Sequence, residues 1–536
     1  MKNPENTSND ADPEFLQRPV IGFLSEICAY EPTRNFSLYI RTSNKDIVSR
    51  ISTHSAHLFL IGELVIKIKR AVRYSYLDMT SLSSRHNLCC RELELNKPVL
   101  PQIYQSVIPI TRETDGTLQF NGSGTIVEWA LCMRRFDEKA VLDNIAQENR
   151  LSVDLSKKMG LSIAKYHQSL ESADVRDGHV RIREVIEELV EELALYRAVF
   201  SEGRLDEFQR RGLKELDSCK SLLNERAQQG YVKRCHGDLH LRNLVLIHDV
   251  PVPFDALEFD ERMATTDVLY DLAFVLMDLD HRALFAQSNG VLNEYLLHSD
   301  EQSIIGLRLL RLFLSCRAGI RAMTTAQAAS LETEASKSLQ NEARSYFALA
   351  LKYLDRQKSV LVAIGGFSGS GKSTVAMSIA DVLGRPRGAL LFRSDTERKV
   401  ALGIAETATL PEQHYTEKAS LENYQRLIKK SELALDAGQS VIVDAVFKDN
   451  DCREAVEEIA LKRNVPFFGF WLDAPVEVLE NRIKQRKNDA SDATIDVLKK
   501  QLSADLGCIN WYIVDAGDTL ENVLAQVCSI LNHECD

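Results

Sequence analysis

The segment GFSGSGKST, Gly366 to Thr374, sets glycines, a lysine and hydroxyls in the spacing GxxxxGK[ST]. Those residue types in that order suit a chain of phosphates. Gly366, Gly369 and Gly371, with Ser368 and Ser370 between them, let backbone N–H groups crowd around anionic oxygens. A helix starting directly after the loop adds the partial positive charge of its N-terminus. Lys372 is placed to reach the outer phosphates and Ser373 to offer its hydroxyl to magnesium, with Thr374 opening the helix behind them. This reading requires strand, then loop, then helix. The apolar run Val360 to Ile364 enters the loop and TVAMSIADVL leaves it. ATP with magnesium is the ligand expected here.

A phosphate loop alone does not separate kinases from motors or GTPases. Asp395, in RSDTER after the next apolar strand, is placed to orient an acceptor hydroxyl or take its proton, and Arg398 to anchor an anionic group on the acceptor. Asp444 ends the apolar strand SVIVD, a setting for a carboxylate that holds the magnesium shell. Arg482 and Arg486 lie four apart, hence on one helix face, before the polar KNDASDA. On a mobile lid, two guanidiniums can close over a phosphoryl in transfer and stabilise its charge. The NKxD motif with which GTPases read their base is absent. Through GGFSGSGKST, DTER, VIVDAVF and RIKQR…SDA, residues 358–536 resemble the P-loop kinases related to gluconate kinase and the zeta toxins. The resemblance implies ATP, magnesium and a small hydroxyl-bearing acceptor, whose identity the motifs leave open.

A second constellation lies upstream. HGDLHLRN, His236 to Asn243, has the HxDLxxxN spacing of the eukaryotic-type kinase catalytic loop, in which the aspartate, here Asp238, accepts the hydroxyl proton and the asparagine, Asn243, holds magnesium. Asp255 closes VPVPFD, where a metal-binding carboxylate belongs, and Asp260 competes with it on spacing to Asp271. HGDLHLRN with FDALEFD and YDLAF resembles the aminoglycoside phosphotransferase and choline kinase group. In that light Lys67 in LVIK matches the strand lysine that steadies the α- and β-phosphates, with Glu92 as its helix partner and Met133 to Phe136 as a hinge. Lys69 shares the strand face of Lys67, so alternation does not choose between them. No GxGxxG loop precedes LVIK. His240 reads as a loop histidine satisfied by a backbone carbonyl.

The elements that must position these residues are legible from pattern. AHLFLIGELVIKIK reads as two strands turning at Gly62-Glu63, Leu82 to Lys97 as a helix, and QSVIPITRE and GTIVEWALCMRRF as further strands. FSLYIRT, from Phe36, reads as another. Residues 137 to 350 are mostly helical, and Glu184, Glu187, Glu188, Glu191 and Glu192 form the solvated face of an amphipathic helix. After residue 358, GALLF, SVIVDAVF, PFFGFWLD and NWYIVDA alternate with helices, as a parallel sheet requires. The expected fold is an α+β protein-kinase-like N-terminal domain, with a small strand-rich lobe and a larger helical lobe, followed by an α/β P-loop domain. Its expected parts are a disordered tail over 1–18, the first kinase-like domain over 19–352 and the P-loop domain over 358–536.

A net charge of −12 disfavours a general binder of nucleic acid or anionic membrane, because such surfaces must neutralise phosphates. The polar, acidic start and the lack of a run of about 18 apolar residues fit a soluble cytoplasmic protein. Eleven cysteines without a CxxC pair fit reduced thiols. The expected activity is transfer of the ATP γ-phosphoryl to hydroxyls of small molecules by both domains. The alternatives are a first domain that only senses a nucleotide or ligand, and a toxin-like second domain acting on a nucleotide sugar. Oligomeric state is left open.

Overall fold

The computed structural model describes residues 13–30, 47–74, 77–331, 335–384, 388–405, 408–486 and 491–535. Packing divides the chain into two compact units: residues 1–150 with 234–265, and residues 151–233 with 266–536. The helical segments over 151–233 and 266–353 pack in the same unit as the P-loop domain.

In the first unit, strands β1 (Ser49–Ser52), β2 (Ala56–Ile61), β3 (Leu64–Lys69), β4 (Tyr104–Arg112), β5 (Leu118–Phe120) and β6 (Thr125–Arg134) form an antiparallel sheet in the order β1-β2-β3-β6-β4-β5. The β2–β3 turn sits at Gly62, φ +51°, as the sequence predicts. FSLYIRT falls in a stretch outside the described residues. Strand alternation gives β3 two faces. Leu64, Ile66 and Ile68 join one core with Phe59 and Ile110, whereas Val65 joins a second core with Cys89, Leu100 and Met133. Lys67 and Lys69 share the parity of Val65 and are buried on that side.

The expected tail over 1–18 lies partly within the described residues. Residues 1–12 lie outside the described residues, and Pro13–Ser25 is a helix, α1, whose Val20 and Leu24 enter the first core. Gln17, 3% exposed, anchors it by donating to the Lys69 carbonyl at 2.8 Å and to Glu128 Oε2 at 2.7 Å. Helix α2 (Leu82–Asn96) starts at Ser81, whose side chain accepts from the Ser84 N–H. Its buried stripe is Arg85, Cys89, Glu92 and Asn96, spaced 4, 3 and 4. The helix therefore buries polar groups with partners where an ordinary helix buries leucines. Strands β7 (Leu244–Ile247) and β8 (Val250–Pro253) complete this unit as a hairpin.

In the second unit, α3 (Val153–Ser169), α4 (Gly178–Ala194) and α5 (Phe285–Leu297) belong to a largely helical part. On α4, Ile182, Ile186, Leu189 and Leu193 are buried and Glu187, Glu188, Glu191 and Glu192 face solvent. The P-loop part has strands β9 (Leu361–Gly366), β10 (Leu390–Arg393), β11 (Val441–Asp444), β12 (Phe467–Asp473) and β13 (Tyr512–Asp515), all parallel, in the order β10-β11-β9-β12-β13. Val362, Ile364, Ile442, Phe468 and Phe470 fill its core. Register sets Ile364 and Arg393 on either side of Asp444. The carboxyl ends of three strands thus open side by side, where ligands of parallel sheets bind. Helices α6 (Lys372–Ala380), α7 (Ser394–Ala401), α8 (Glu417–Asp436) and α9 (Val476–Gln485) complete the surroundings of that edge. Among the described residues, no helix is long and apolar enough to cross a membrane. The α+β and parallel α/β classes expected from pattern are both present.

Candidate active sites

In the first unit, separate segments converge on one buried charge cluster. Lys67 Nζ donates to Glu92 Oε1 at 2.7 Å and to Asp255 Oδ1 at 2.8 Å. Lys69 Nζ donates to the other Glu92 oxygen at 2.6 Å and to Glu258 Oε1 at 2.5 Å. Glu92 therefore bridges both lysines that alternation could not separate. They differ in access: the Lys69 side chain is 1% exposed behind Glu258, while Lys67 meets Asp255, whose side chain is 42% exposed. Asp255 sits at φ +60°, its N–H donating to the Tyr104 hydroxyl at 3.2 Å, and the next N–H, of Ala256, donates to Asn96 Oδ1 at 3.0 Å. Asp260, its rival on spacing, caps the short helix Glu261–Ala264 by accepting from the Met263 N–H.

The leucines of the catalytic-loop motif, Leu239 and Leu241, are fully buried, as is Leu244 just after it. His236 Nε2 bonds the Phe254 carbonyl at 2.9 Å, tying the loop to the segment that ends in Asp255. Asn243 Nδ2 donates to both the carbonyl and Oδ2 of Asp238 at 2.9 Å. With the amide nitrogen committed, the Asn243 oxygen is the atom suited to a cation. His240 Nε2 lies 3.4 Å from Asp238 Oδ2, so its neighbour is that carboxylate.

Burial pushes the Asp255 carboxyl up, but the Lys67 ammonium outweighs it and holds the pKa down to about 2. An unfolded aspartate titrates near its ordinary value of about 3.9. The pair's contribution to stability is therefore complete above about pH 5 and is lost as pH falls toward 2. In acid titrations of stability, wild type and Asp255→Asn are expected to differ by a constant amount from pH 8 to 5. Their difference should shrink between pH 4 and 2.

In the second unit, β9 runs into the phosphate loop and α6 leaves it. Gly369 adopts φ +88°, and a Cβ there would lie 2.6 Å from the Leu479 carbonyl of α9. Gly371 caps α6 at φ +92° and faces open space. Gly366 ends β9, and in the loop after it the Ser368 N–H donates to Gln501 Oε1 at 2.9 Å. Ser370 Oγ is buried and has no hydrogen-bond partner among the described residues. Ser373 Oγ donates to Asp444 Oδ2 at 2.5 Å, with Arg393 Nε 3.4 Å from the same oxygen. Lys372 Nζ donates to the Phe367 carbonyl at 3.0 Å, and Thr374 is exposed on α6.

Asp395 lies in the first turn of α7. Burial raises its pKa, a hydrogen bond from Ser491 opposes the rise, and the Asp444 charge adds to it. Arg398 donates to the His414 carbonyl at 2.7 Å, its guanidinium 4.8 Å from the centre of the Tyr415 ring. Arg482 donates to the Ala516 carbonyl at 2.8 Å and lies 3.5 Å from the Ser370 carbonyl of the phosphate loop. Arg486, four residues on, is the C-cap of α9, which ends at Gln485; its φ of −62° is still helical and its ψ of 132° turns the chain away after it. No apolar residue follows Ile483 closely enough to continue a buried stripe. Residues 487–490, within the expected lid, lie outside the described residues.

Both sites present the hard oxygen donors that magnesium prefers. Ser373 and Asp444 supply them in one, Asn243 and Asp255 in the other. Glu258, Tyr104 and Arg393 were not singled out from sequence, nor was Asp492. That carboxylate accepts from Lys399 at 3.0 Å and from the Tyr415 hydroxyl at 2.6 Å. Each depends on a contact between distant segments, which spacing does not encode.

The AAA domain family matches residues 361–504. An uncharacterized protein of Mycobacterium tuberculosis is 26% identical over 477 residues, covering 83% of this chain and 87% of that protein. The adenylyl-sulfate kinase of Bacteroides thetaiotaomicron is 31% identical over 144 residues, 26% of this chain and 67% of that enzyme. Among solved structures, choline kinase of Cryptosporidium parvum covers 63% of this chain and 94% of its own at 13% identity and a TM-score of 0.37. A gluconokinase of Sinorhizobium meliloti covers 34% and 100% at 22% identity and a TM-score of 0.24. Nucleotide binding and kinase-type phosphotransfer are the chemistry of the matched P-loop relatives. Through its phosphate-loop domain, this chain belongs to the P-loop kinase family that includes adenylyl-sulfate kinase.

Proposed function

We propose that the chain carries two ATP-dependent phosphotransferases, over 19–352 and 358–536, each moving the γ-phosphoryl of ATP to a hydroxyl of a small molecule. The observation that carries this reading is the charge cluster of the first unit. Lys67, Glu92 and Asp255 meet within 2.8 Å, and Asp238 is held by Asn243. A pure sensor has no need of a carboxylate positioned to accept a proton. In each transfer an acceptor oxygen bonds to the γ-phosphorus, the bond to the bridging oxygen of departing ADP breaks, and the hydroxyl proton leaves. Asp238 receives that proton in the first module and Asp395 in the second, where the raised pKa suits a base. Lys67 and Lys372 bind phosphate oxygens, Arg482 and Arg486 offset the charge of the transferring group, and Arg398 binds an anionic group on the second acceptor. Magnesium, held by Asn243 and Asp255 or by Ser373 and Asp444, would neutralise phosphate charge. With this reading we pair the cytoplasm as compartment and small molecules, not nucleic acid or membrane, as partners, in keeping with the net charge of −12.

The test uses the full chain, ATP and a panel of hydroxyl compounds including choline, gluconate and adenylyl sulfate. Lys372→Ala is expected to lower transfer by the P-loop module about 100-fold and leave transfer by the first module intact. If every transfer vanishes with Lys372→Ala, the first module is a sensor. If none declines, the phosphate site of the second is elsewhere.

A further inference from the structure

Strand β10 is an edge of the P-loop sheet, paired with β11 alone. Edge strands leave alternate N–H and C=O groups pointing outward. The Leu390 N–H turns inward, to the Ser440 carbonyl at 2.8 Å, so the outward groups at the start of the strand include the Ala389 carbonyl and the Leu391 N–H. Both are met by asparagines of α5. Asn293 Oδ1 accepts from the Leu391 N–H at 2.7 Å and its Nδ2 lies 3.2 Å from the Ala389 carbonyl. Asn289 Nδ2 donates to the same carbonyl at 2.9 Å. The Asn293 amide thus pairs with the edge as one residue of a sixth strand would.

Two details mark this as a fitted contact. Asn293 Nδ2 also lies 3.0 Å from Asn289 Oδ1, so each amide orients the other, and Asn289 is 6% exposed. Gly388, at φ +75°, leaves room for Asn289: a Cβ there would lie 2.4 Å from its Nδ2.

Strand β10 continues directly into α7, which carries Asp395 and Arg398. We propose that Asn289 and Asn293 are positioning residues for the acceptor side of the P-loop site, so that a helix lying outside residues 358–536 holds the strand that delivers Asp395. This rests on the roles proposed for Asp395 and Arg398. A four-residue strand with one paired neighbour is weakly held, and the amide pair supplies its second edge. Asn423 Nδ2 also holds the Ser394 carbonyl, at 2.9 Å, so the loss on removing the pair is partial. Whatever displaces α5 then displaces α7, which couples the helical part to the second site.

Hydrogen exchange followed by mass spectrometry on the full chain tests this without requiring turnover. In Asn293→Leu, exchange is expected to rise about tenfold at Leu391 and through 394–401, while peptides of β9 and β11 keep wild-type rates. Affinity for MgATP at the P-loop, the probe used, should stay within twofold, whereas general destabilisation would lower it. Asn293→Asp keeps the acceptor for the Leu391 N–H and should give an intermediate rate through α7. It decides alone if the leucine variant unfolds. Wild-type exchange of α7 in the folded variants overturns the proposal. If no panel compound is phosphorylated, the functional reading fails while the α7 rates still decide this one.

Discussion

Asp238→Asn is expected to lower phosphoryl transfer by the N-terminal module about 10³-fold with little change in KM for ATP. The substitution keeps the shape of the side chain and its contact with Asn243, which lies 2.9 Å away. What it removes is the capacity to take the hydroxyl proton. The cluster that would bind phosphates, Lys67 with Glu92 and Asp255, does not include Asp238, so nucleotide affinity has no reason to fall. The measurement is kcat and KM for ATP with an acceptor used by the first module alone, in a Lys372→Ala background that weakens the other module about 100-fold. A loss below tenfold would show that Asp238 is not the base. A parallel rise in KM would show that it binds nucleotide instead.

The largest stability effect is expected at Glu92. Its side chain is fully buried and each oxygen accepts from a different lysine, at 2.7 and 2.6 Å. Glu92→Gln retains the volume but leaves two buried ammoniums with one fewer anion. Breaking a buried pair by removing one partner costs about 3–5 kcal/mol. The lower end applies here, because Lys67 keeps Asp255 and Lys69 keeps Glu258. A loss of about 3 kcal/mol would lower the melting point of the first unit by about 6–12 °C. Because the chain has two compact units, the readout must be local: hydrogen exchange of β3 and α2 during a thermal or urea series. The P-loop sheet should melt as in wild type. Equal destabilisation of both units, or a shift under 2 °C, would contradict the cluster's role.

Much of this protein is determined by short-range pattern. Apolar runs at period 2, the Gly62-Glu63 turn and the strand–loop–helix order around Gly366 to Ser373 depend on neighbours in the chain, because backbone geometry and side-chain alternation act over a few residues. For that reason β3, β4, β6 and the strands of the P-loop sheet lie where the sequence predicts, and HGDLHLRN and GFSGSGKST announce phosphate chemistry unaided. Choices between equivalent neighbours were not legible. Lys67 and Lys69 share a face, and only Asp255 and Glu258, brought from almost 190 residues away, make them different. Asp255 and Asp260 differ only because one meets a lysine and the other caps a helix. The segment 13–18 reads as polar tail until Gln17 finds Glu128. The edge of β10 is the extreme case: two ordinary asparagines become its second partner, and no local pattern marks them. The sequence alone determined which elements form and which chemistry they carry. The tertiary structure decided which charges pair and which backbone groups are covered, because those energies exist only between groups that folding brings into contact.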